Sequence, residues 1–373
     1  MNWKMNDVFI LGAGFSKSVS KEMPLLANRE LSTEILRYKF KEPIPAKIQN
    51  MVLENLENAL NFLASDKPWL SEPENQQHKV LYRELTYAVC AVFWVKDRNP
   101  LVWNVKNSPP HWLEELLAYW HNNRCDVITL NYDTLIECVA GSVYSRKRPK
   151  IPTGEIYPIR FTQAAINGAI YPESQKVQAP VESFKLFKLH GSVNWYYSGR
   201  QDFFGEELFY VPCIGGIDRV FDGIDYTDWL RLDGKRPLIA PPISDKSTFF
   251  RHEALHSMWF QAAEAIKNAN RIFCLGYSLP ESDVTMAQFL RDCAPGNHVQ
   301  FEIVDLQQKI EHFAKILGKD TYEFRQEYET ECCIPRFILH NLIQDSDDKR
   351  QVCLEIYERK KRLCASAKTA RCS

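Results

Sequence analysis

The chain has 373 residues, of which 45% are hydrophobic and 25% are charged, and these values are ordinary for a globular protein with a full core. Its 46 lysines and arginines balance 47 aspartates and glutamates to a net charge of -1, which excludes the basic field of a non-specific nucleic-acid binder. Residues 88–95 form the longest apolar run, which is far shorter than the roughly 20 residues of a membrane span. With no signal-peptide pattern at the N-terminus, we expect a cytoplasmic protein that contacts neither membranes nor nucleic acid directly.

The eleven cysteines are scattered and form no Cys-x-x-Cys pair. An odd number of dispersed thiols in a large chain argues against a disulfide framework. Cys332 and Cys333 are adjacent, which is poor spacing for a tetrahedral zinc site. We therefore predict ordinary thiols and no bound metal.

The first strong pattern is a short apolar strand at residues 7–11 that runs into Gly12-Ala-Gly-Phe-Ser16. A strand followed by a Gly-x-Gly turn and a helix can place backbone N–H groups against a pyrophosphate, and the missing Cβ atoms let the ligand come close. Lys17 stands where the dinucleotide fingerprint has its third glycine. The turn therefore predicts a nucleotide site without naming the nucleotide.

Four later predicted strands also end in glycine or polar residues. The residues that follow them are Asn131-Tyr-Asp133, His190-Gly191, Gly276-Tyr-Ser278 and Asp305. Each alone has an ordinary explanation, such as a turn glycine, a helix cap at Asn131 or a core histidine at His190. Together they favour one site, because the carboxyl ends of parallel strands meet at the edge where α/β sheets bind ligands.

The segments between these strands predict the remaining architecture. Residues from about 41 to 122 carry apolar positions at helical spacing and predict a large helical insertion. Segments 141–183 and 198–236 are rich in glycine, proline and polar residues and predict irregular insertions. We predict one domain over residues 1–320, followed by a helical C-terminal extension over residues 321–373.

The motifs and their order resemble the sirtuin superfamily, in particular the sirtuin-like NADase domains of bacterial antiphage defence proteins. The residues that carry the resemblance are Gly12-Ala-Gly-Phe-Ser16, Thr129-Leu-Asn-Tyr-Asp133, Leu189-His-Gly-Ser192 and Leu275-Gly-Tyr-Ser-Leu279. The likeness covers about residues 7–306. It implies an α/β fold with a sirtuin-like, Rossmann-like parallel sheet that binds NAD+ as its substrate.

The resemblance also implies a role for each motif. Asn131 would position the carboxamide side of NAD+ or the attacking water, Asp133 would orient that segment, and His190 would act as a general base, since an imidazole titrates at about pH 6.5. The predicted catalytic residues are therefore Asn131, Asp133 and His190. The predicted cofactor-binding residues are Gly12, Ala13, Gly14, Phe15, Ser16, Gly276, Tyr277, Ser278 and Asp305.

Two departures from the sirtuin pattern narrow the prediction. Protein deacylases carry a four-cysteine zinc module after the His-Gly motif, whereas only Cys213 and Cys274 lie between His190 and Cys293 in this chain. The family's Pro-Asp-Phe-Arg segment is also missing, which leaves the roles of Asn28 and Arg29 unassigned. The first departure favours an NAD+ glycohydrolase that yields nicotinamide and ADP-ribose.

The resemblance further implies abortive antiphage defence by depletion of NAD+. Such an activity needs a gate, either homo-oligomerisation or a second defence protein such as an ATPase or a nuclease. Two alternatives remain open at this point: an NAD-dependent protein deacylase or ADP-ribosyltransferase, and a noncatalytic sensor of NAD+ or ADP-ribose.

Overall fold

The structure is a computed structural model, and it describes most of the chain. The described residues are 6–20, 23, 29–40, 42–97, 109–141, 149, 151–163, 182–197, 208–210, 236–239, 252–281, 283–296, 299–318, 322–326 and 332–369. Among them, no helix is both long enough and apolar enough to cross a lipid bilayer.

A six-stranded sheet forms the centre of the molecule. Its strands are β1 (Asp7–Leu11), β2 (Asp126–Thr129), β4 (Lys185–Lys188), β8 (Arg271–Leu275), β9 (Gln300–Val304) and β10 (Glu323–Gln326). They lie in the order β10-β9-β8-β1-β2-β4, and every neighbouring pair is parallel. All five residues of β1 are buried, as expected for a central parallel strand covered on both faces. The predicted α/β class with a Rossmann-like parallel sheet is confirmed.

The strand order places a switch point beside β1. From β1 the chain moves outward through β2 and β4 on one side, and it later returns to fill the other side with β8, β9 and β10. In open α/β sheets, the loops after the two strands at such a point diverge and leave a crevice for a ligand. The loops that follow β1 and β8 begin at Gly12 and Gly276, the two glycines that the sequence singled out.

Thirteen helices are present in the described part of the chain. They are α1 (Ala13–Val19), α2 (Arg29–Leu36), α3 (Ala46–Glu54), α4 (Leu56–Ala64), α5 (Glu72–Asp97), α6 (His111–Asn123), α7 (Leu135–Ala140), α8 (Thr153–Ile156), α9 (Glu253–Lys267), α10 (Val284–Cys293), α11 (Ile310–Leu317), α12 (Cys333–Asn341) and α13 (Ser346–Thr369).

The helices of the predicted insertion divide between two hydrophobic cores. Helices α2 to α5 bury Leu31 and Leu85 in a second core, which also contains Tyr132 from the segment after β2. Helix α6 instead packs on the sheet, where the ring of Trp120 lies 5.5 Å from that of Phe9 in β1. Helices α2 to α5 thus pack against the segment after β2, whereas α6 covers the main sheet.

A second, smaller sheet follows His190 directly. It consists of β3 (Thr162–Gln163), β6 (Phe209–Tyr210), β5 (Gly191–Tyr197) and β7 (Arg236–Ile239), in that order. Strands β3 and β6 and helix α8 fall within the predicted irregular insertions, whose other residues lie largely outside the described ones. Since β5 begins at the residue after His190, this sheet is covalently continuous with the candidate site.

In its described residues, the C-terminal region is helical except for one strand that the sequence did not predict. Strand β10 adds the edge of the main sheet by pairing with β9. Helix α13 then contacts the start of α6, because the His111 backbone N–H donates to Glu355 Oε1 at 2.8 Å and His111 Nε2 lies 3.1 Å from Asp348 Oδ1.

Candidate functional site

Two glycine loops cross at the carboxyl edge of β1 and β8. The Gly12 N–H donates to the Leu275 carbonyl at 3.2 Å, and the Gly14 N–H donates to the Gly276 carbonyl at 3.0 Å. Gly276 has a φ of +58°, and a Cβ there would lie 2.3 Å from the Phe15 nitrogen. Glycine is therefore required by the close approach of the two backbones.

The same contacts change the expected role of the first glycine turn. The N–H groups of Gly12 and Gly14 bond to the neighbouring loop, and the Phe15 N–H donates to the Gly12 carbonyl at 2.9 Å. The sequence suggested that such groups would face a pyrophosphate. In the structure these three bond within the protein, so the turn's first contribution is to fix the shape of the crevice.

Asn131 is held in one orientation beside this turn. Its Nδ2 donates to the Gly12 carbonyl at 2.8 Å and to Ser16 Oγ at 2.9 Å. The Ser16 hydroxyl in turn donates to Asp133 Oδ2 at 2.5 Å. Because both Nδ2 hydrogens are used, Asn131 offers its Oδ1 as an acceptor in the cleft that it lines.

Asp133 lies beneath the cleft and does not line it. Its carboxylate also accepts from the Leu135 N–H at 3.3 Å, at the start of α7. Burial raises the pKa of Asp133, while the charge of Lys188 and the Ser16 hydrogen bond act in the opposite direction. These contacts fit the predicted role of orienting the Asn131 segment and leave Asp133 no direct contact with a ligand in the cleft.

His190 lies in the short turn between β4 and β5 and lines the cleft with only 8% of its surface exposed. Its ring lies 6.4 Å, centroid to centroid, from the ring of Tyr132. The next residue, Gly191, has a φ of +78°, and a Cβ there would lie 2.0 Å from the Leu238 carbonyl oxygen of β7. The small sheet thus closes tightly on the residue next to His190.

A cleft of about 1050 Å³ opens above these residues. Nine of the predicted site residues line it: Gly12, Ala13, Gly14, Asn131, His190, Gly276, Tyr277, Ser278 and Asp305. The predicted residues that do not line it are Phe15, Ser16 and Asp133. The Phe15 side chain lies in the core, edge-on to Trp112 at 6.0 Å, and Ser16 acts through Asn131. The structure therefore brings nine of the twelve predicted residues to one cleft and buries the Phe15 side chain in the core.

Tyr277 and Asp305 mark the side of the cleft formed by β8 and β9. Tyr277 is largely buried, and its hydroxyl donates to Asp283 Oδ2 at 3.0 Å. Burial and the neighbouring Asp283 raise the pKa of Tyr277 well above its ordinary value, so it is a neutral donor at physiological pH. Asp305 follows β9 and accepts a hydrogen bond from the Gln307 N–H at 3.1 Å.

Sequence reasoning missed the opposite wall of the cleft. Helices α2, α3 and α4 provide it with Arg29, Ser32, Asn50, Leu53, Glu54, Asn55, Leu56 and Glu57. Among the described residues of the lining, Arg29 and Lys309 carry the permanent positive charges that could contact a phosphate. Asn28 lies outside the described residues. No local motif distinguishes these residues from the solvent-facing side of an ordinary helix, so only the fold reveals them.

A buried ion pair beneath the cleft was missed as well. Lys188 is fully buried at the end of β4, and its Nζ lies 2.8 Å from Glu137 Oε1 in α7, itself 1% exposed. In the sequence, the buried pair is indicated only by a lysine two positions before His190, in the otherwise apolar end of the strand. Away from this site, the described residues hold one group that could ligate a metal, His111, Glu115 and Asp348, and none of the three lines the cleft.

Comparison with known proteins finds no matching family model and no matching curated protein. Similar solved structures are sirtuins. A Sir2 complex with an inhibitor, 2′-O-acetyl-ADP-ribose and a deacetylated peptide is 14% identical, with a TM-score of 0.38 over 89% of this chain and 92% of the other. A sirtuin studied for substrate affinity is 15% identical, with a TM-score of 0.37 over 90% and 93% of the two chains. A variant Sir2 homologue bound to ADP-ribose is 11% identical, with a TM-score of 0.37 over 94% and 93%. At these TM-scores the likeness carries no weight for function, which rests on the cleft itself.

Proposed function

We propose that this protein is an NAD+ glycohydrolase, which cleaves NAD+ to nicotinamide and ADP-ribose. The observation that supports the proposal most is the convergence of Asn131, His190, the two crossing glycine loops and Asp305 around one cleft. These residues come from five strand ends that are far apart in the sequence. The switch point of a parallel sheet is the place where this fold class binds nucleotides.

The dimensions of the cleft suit a dinucleotide. Its volume of about 1050 Å³ is at the upper end of ordinary ligand sites, which span roughly 300–1,000 Å³. We infer that NAD+ lies along the crest, with its nicotinamide ribose beside Asn131 and His190 and its adenosine toward Asp305. Arg29 and Lys309 supply positive charge for the pyrophosphate that joins the two halves of NAD+.

The chemistry needs few groups from the protein. Nicotinamide leaves as a neutral molecule from a cationic precursor, and the ribosyl centre that remains resembles an oxocarbenium ion. Asn131 Oδ1 can accept a hydrogen bond from the carboxamide or from the attacking water. His190 can then remove a proton from the water or from a ribose hydroxyl. The low exposure of His190 limits access of bulk water to this end of the cleft.

Nicotinamide release from NAD+, followed by chromatography, tests the assignment. We expect His190→Ala and Asn131→Ala each to lower turnover by about 10²-fold or more, as for loss of a general base or of an orienting group. The control is His256→Ala, because His256 is an exposed histidine on α9 that does not line the cleft. Undiminished turnover in both site variants would refute the assignment.

If the isolated protein releases no nicotinamide, calorimetry of ADP-ribose binding helps to distinguish a gated enzyme from a noncatalytic sensor. If the protein binds ADP-ribose but releases nicotinamide only when a partner is added, the activity is gated. If it binds ADP-ribose and never releases nicotinamide with any partner, the chain is a noncatalytic sensor.

We further propose that the enzyme acts in abortive antiphage defence within the cytoplasm. This rests on the resemblance of the motifs to sirtuin-like defence NADases. A constitutive NADase would deplete its host, so we expect control by homo-oligomerisation or by a second defence protein such as an ATPase or a nuclease. Cellular NAD+ after phage infection, compared between wild type and His190→Ala, tests the role. An equal NAD+ content in both strains would contradict it.

A further inference from the structure

A fully buried lysine lies directly beneath the cleft, and the proposed chemistry does not use it. The Lys188 ammonium donates to the main-chain carbonyl of Asp133 and to Glu137 Oε1. Removing a charged pair from water costs free energy, and an apolar pair of similar volume is often as stable or more stable. The pair therefore needs an explanation beyond stability.

The segment that Lys188 contacts has no regular secondary structure to hold it. Residues 130–134 lie between β2 and α7 and belong to neither a strand nor a helix. The Tyr132 carbonyl accepts from the Val193 N–H at 3.0 Å, and the Asp133 carbonyl accepts from Lys188. The strands on both sides of His190 thus replace the ladder hydrogen bonds that this segment lacks.

The segment also carries the groups that orient Asn131. The Asp133 carboxylate accepts from the Ser16 hydroxyl, and that same hydroxyl accepts from Asn131 Nδ2. A shift of the Asp133 backbone would therefore pass through Ser16 to the amide in the cleft. We propose that Lys188 is a positioning residue, which holds the 131–133 backbone so that Asn131 and His190 share one reacting geometry.

Glu137 keeps the ammonium in place. It is the negative partner of Lys188, and its Oε1 also accepts from the Tyr157 hydroxyl at 2.9 Å. Asn194 Nδ2 donates to the same hydroxyl at 3.3 Å. The ion pair is therefore held by α7, which carries Glu137, and by the hydrogen bonds that link Glu137 through Tyr157 to Asn194 in the small sheet.

A comparison of single and double variants tests the proposal, which rests on the proposed function. Lys188→Met leaves Glu137 buried and unpaired, so we expect a lower melting temperature. The double variant Lys188→Met/Glu137→Met removes both charges of the pair, so its melting temperature should recover in part, while the buried Asp133 carboxyl still lacks the Lys188 charge. We expect its kcat for nicotinamide release to stay about 10²-fold below wild type, with KM within about threefold. The matched control is Lys185→Met, an exposed lysine on the same strand.

Hydrogen exchange supplies a readout that needs no turnover. In the double variant, amides of residues 131–135 should exchange faster than in wild type, while those of α9 stay unchanged. Wild-type kcat or wild-type exchange in the double variant would overturn the proposal and leave the pair purely structural. If wild-type protein releases no nicotinamide under any condition, the proposed function fails, and the exchange measurement still decides whether Lys188 holds the segment.

Discussion

Replacement of Gly276 by alanine tests whether the crossing of the two loops shapes the site. The new Cβ would lie 2.3 Å from the Phe15 nitrogen and 2.5 Å from the Gly14 carbonyl carbon, whereas ordinary contact begins at 3.4 Å. The loops must therefore separate by roughly 1 Å. The left-handed backbone adds about 1 kcal/mol for an L residue, and overpacking against backbone adds about 1–3 kcal/mol. We expect the free energy of unfolding to fall by roughly 2–4 kcal/mol.

The assay compares Gly276→Ala with Gly296→Ala, because a Cβ at Gly296 meets no atom of the described residues within 4 Å beyond its chain neighbours. Thermal unfolding should show a clear loss for the first variant and almost none for the second. A displacement of about 1 Å next to the reacting groups should also lower nicotinamide release by about 10²-fold. If the two variants unfold at the same temperature and release nicotinamide equally, the loop crossing does not shape the site.

Two further predictions concern a hydroxyl and a carboxyl group. Ser16→Ala removes the acceptor for Asn131 Nδ2 and a donor to a buried carboxylate, so we expect about 1–3 kcal/mol less stability and reduced turnover. The control variant Ser18→Ala, on the same helix, should keep full turnover. Equal turnover in the two variants would contradict this prediction. Burial raises the pKa of Glu355 above 4.5, so its contribution to stability is complete below the unfolded-state pKa and is lost as the pH rises through the folded-state pKa. Glu355→Gln should therefore gain stability relative to wild type as the pH rises above about 4.5, measured by urea unfolding, and a difference independent of pH would refute it.

The central sheet could be predicted from the sequence because its signals are local. Each of the five strands other than β10 is a short, largely apolar run that is followed by glycine or by a polar residue, and parallel strands buried on both faces have this composition. Strand β10 was missed because its sequence, Glu323–Gln326, contains a single apolar residue, Phe324, at a half-exposed edge. Its pairing with β9 is a tertiary contact, and no short-range pattern reports such a contact.

The site was only partly predictable for a related reason. Residues at strand ends, such as Asn131 and His190, are placed by the topology once the strands are recognised. The wall that carries Glu54 and Glu57 exists because α2 to α5 fold over the carboxyl edge of the sheet. The burial of Lys188 depends on which helix packs against β4. Charged residues in these places resemble ordinary surface residues in a sequence, because burial is a property of the fold.

The proposed hydrolase and a protein deacylase differ in the molecule that accepts the ADP-ribosyl group. Strand β5 starts at Gly191, where the Leu238 carbonyl of β7 would lie 2.0 Å from any added Cβ. A packed β-sheet therefore continues directly from the His-Gly motif, after which protein deacylases carry a four-cysteine zinc module. We expect nicotinamide release to be independent of acyl-lysine peptide, since the hydrolytic reaction needs only water as acceptor. The measurement compares release with and without an acetylated peptide at saturating NAD+, with His190→Ala as the background. If release requires the peptide and deacetylated product accumulates in proportion, the chain is a deacylase despite its missing cysteines.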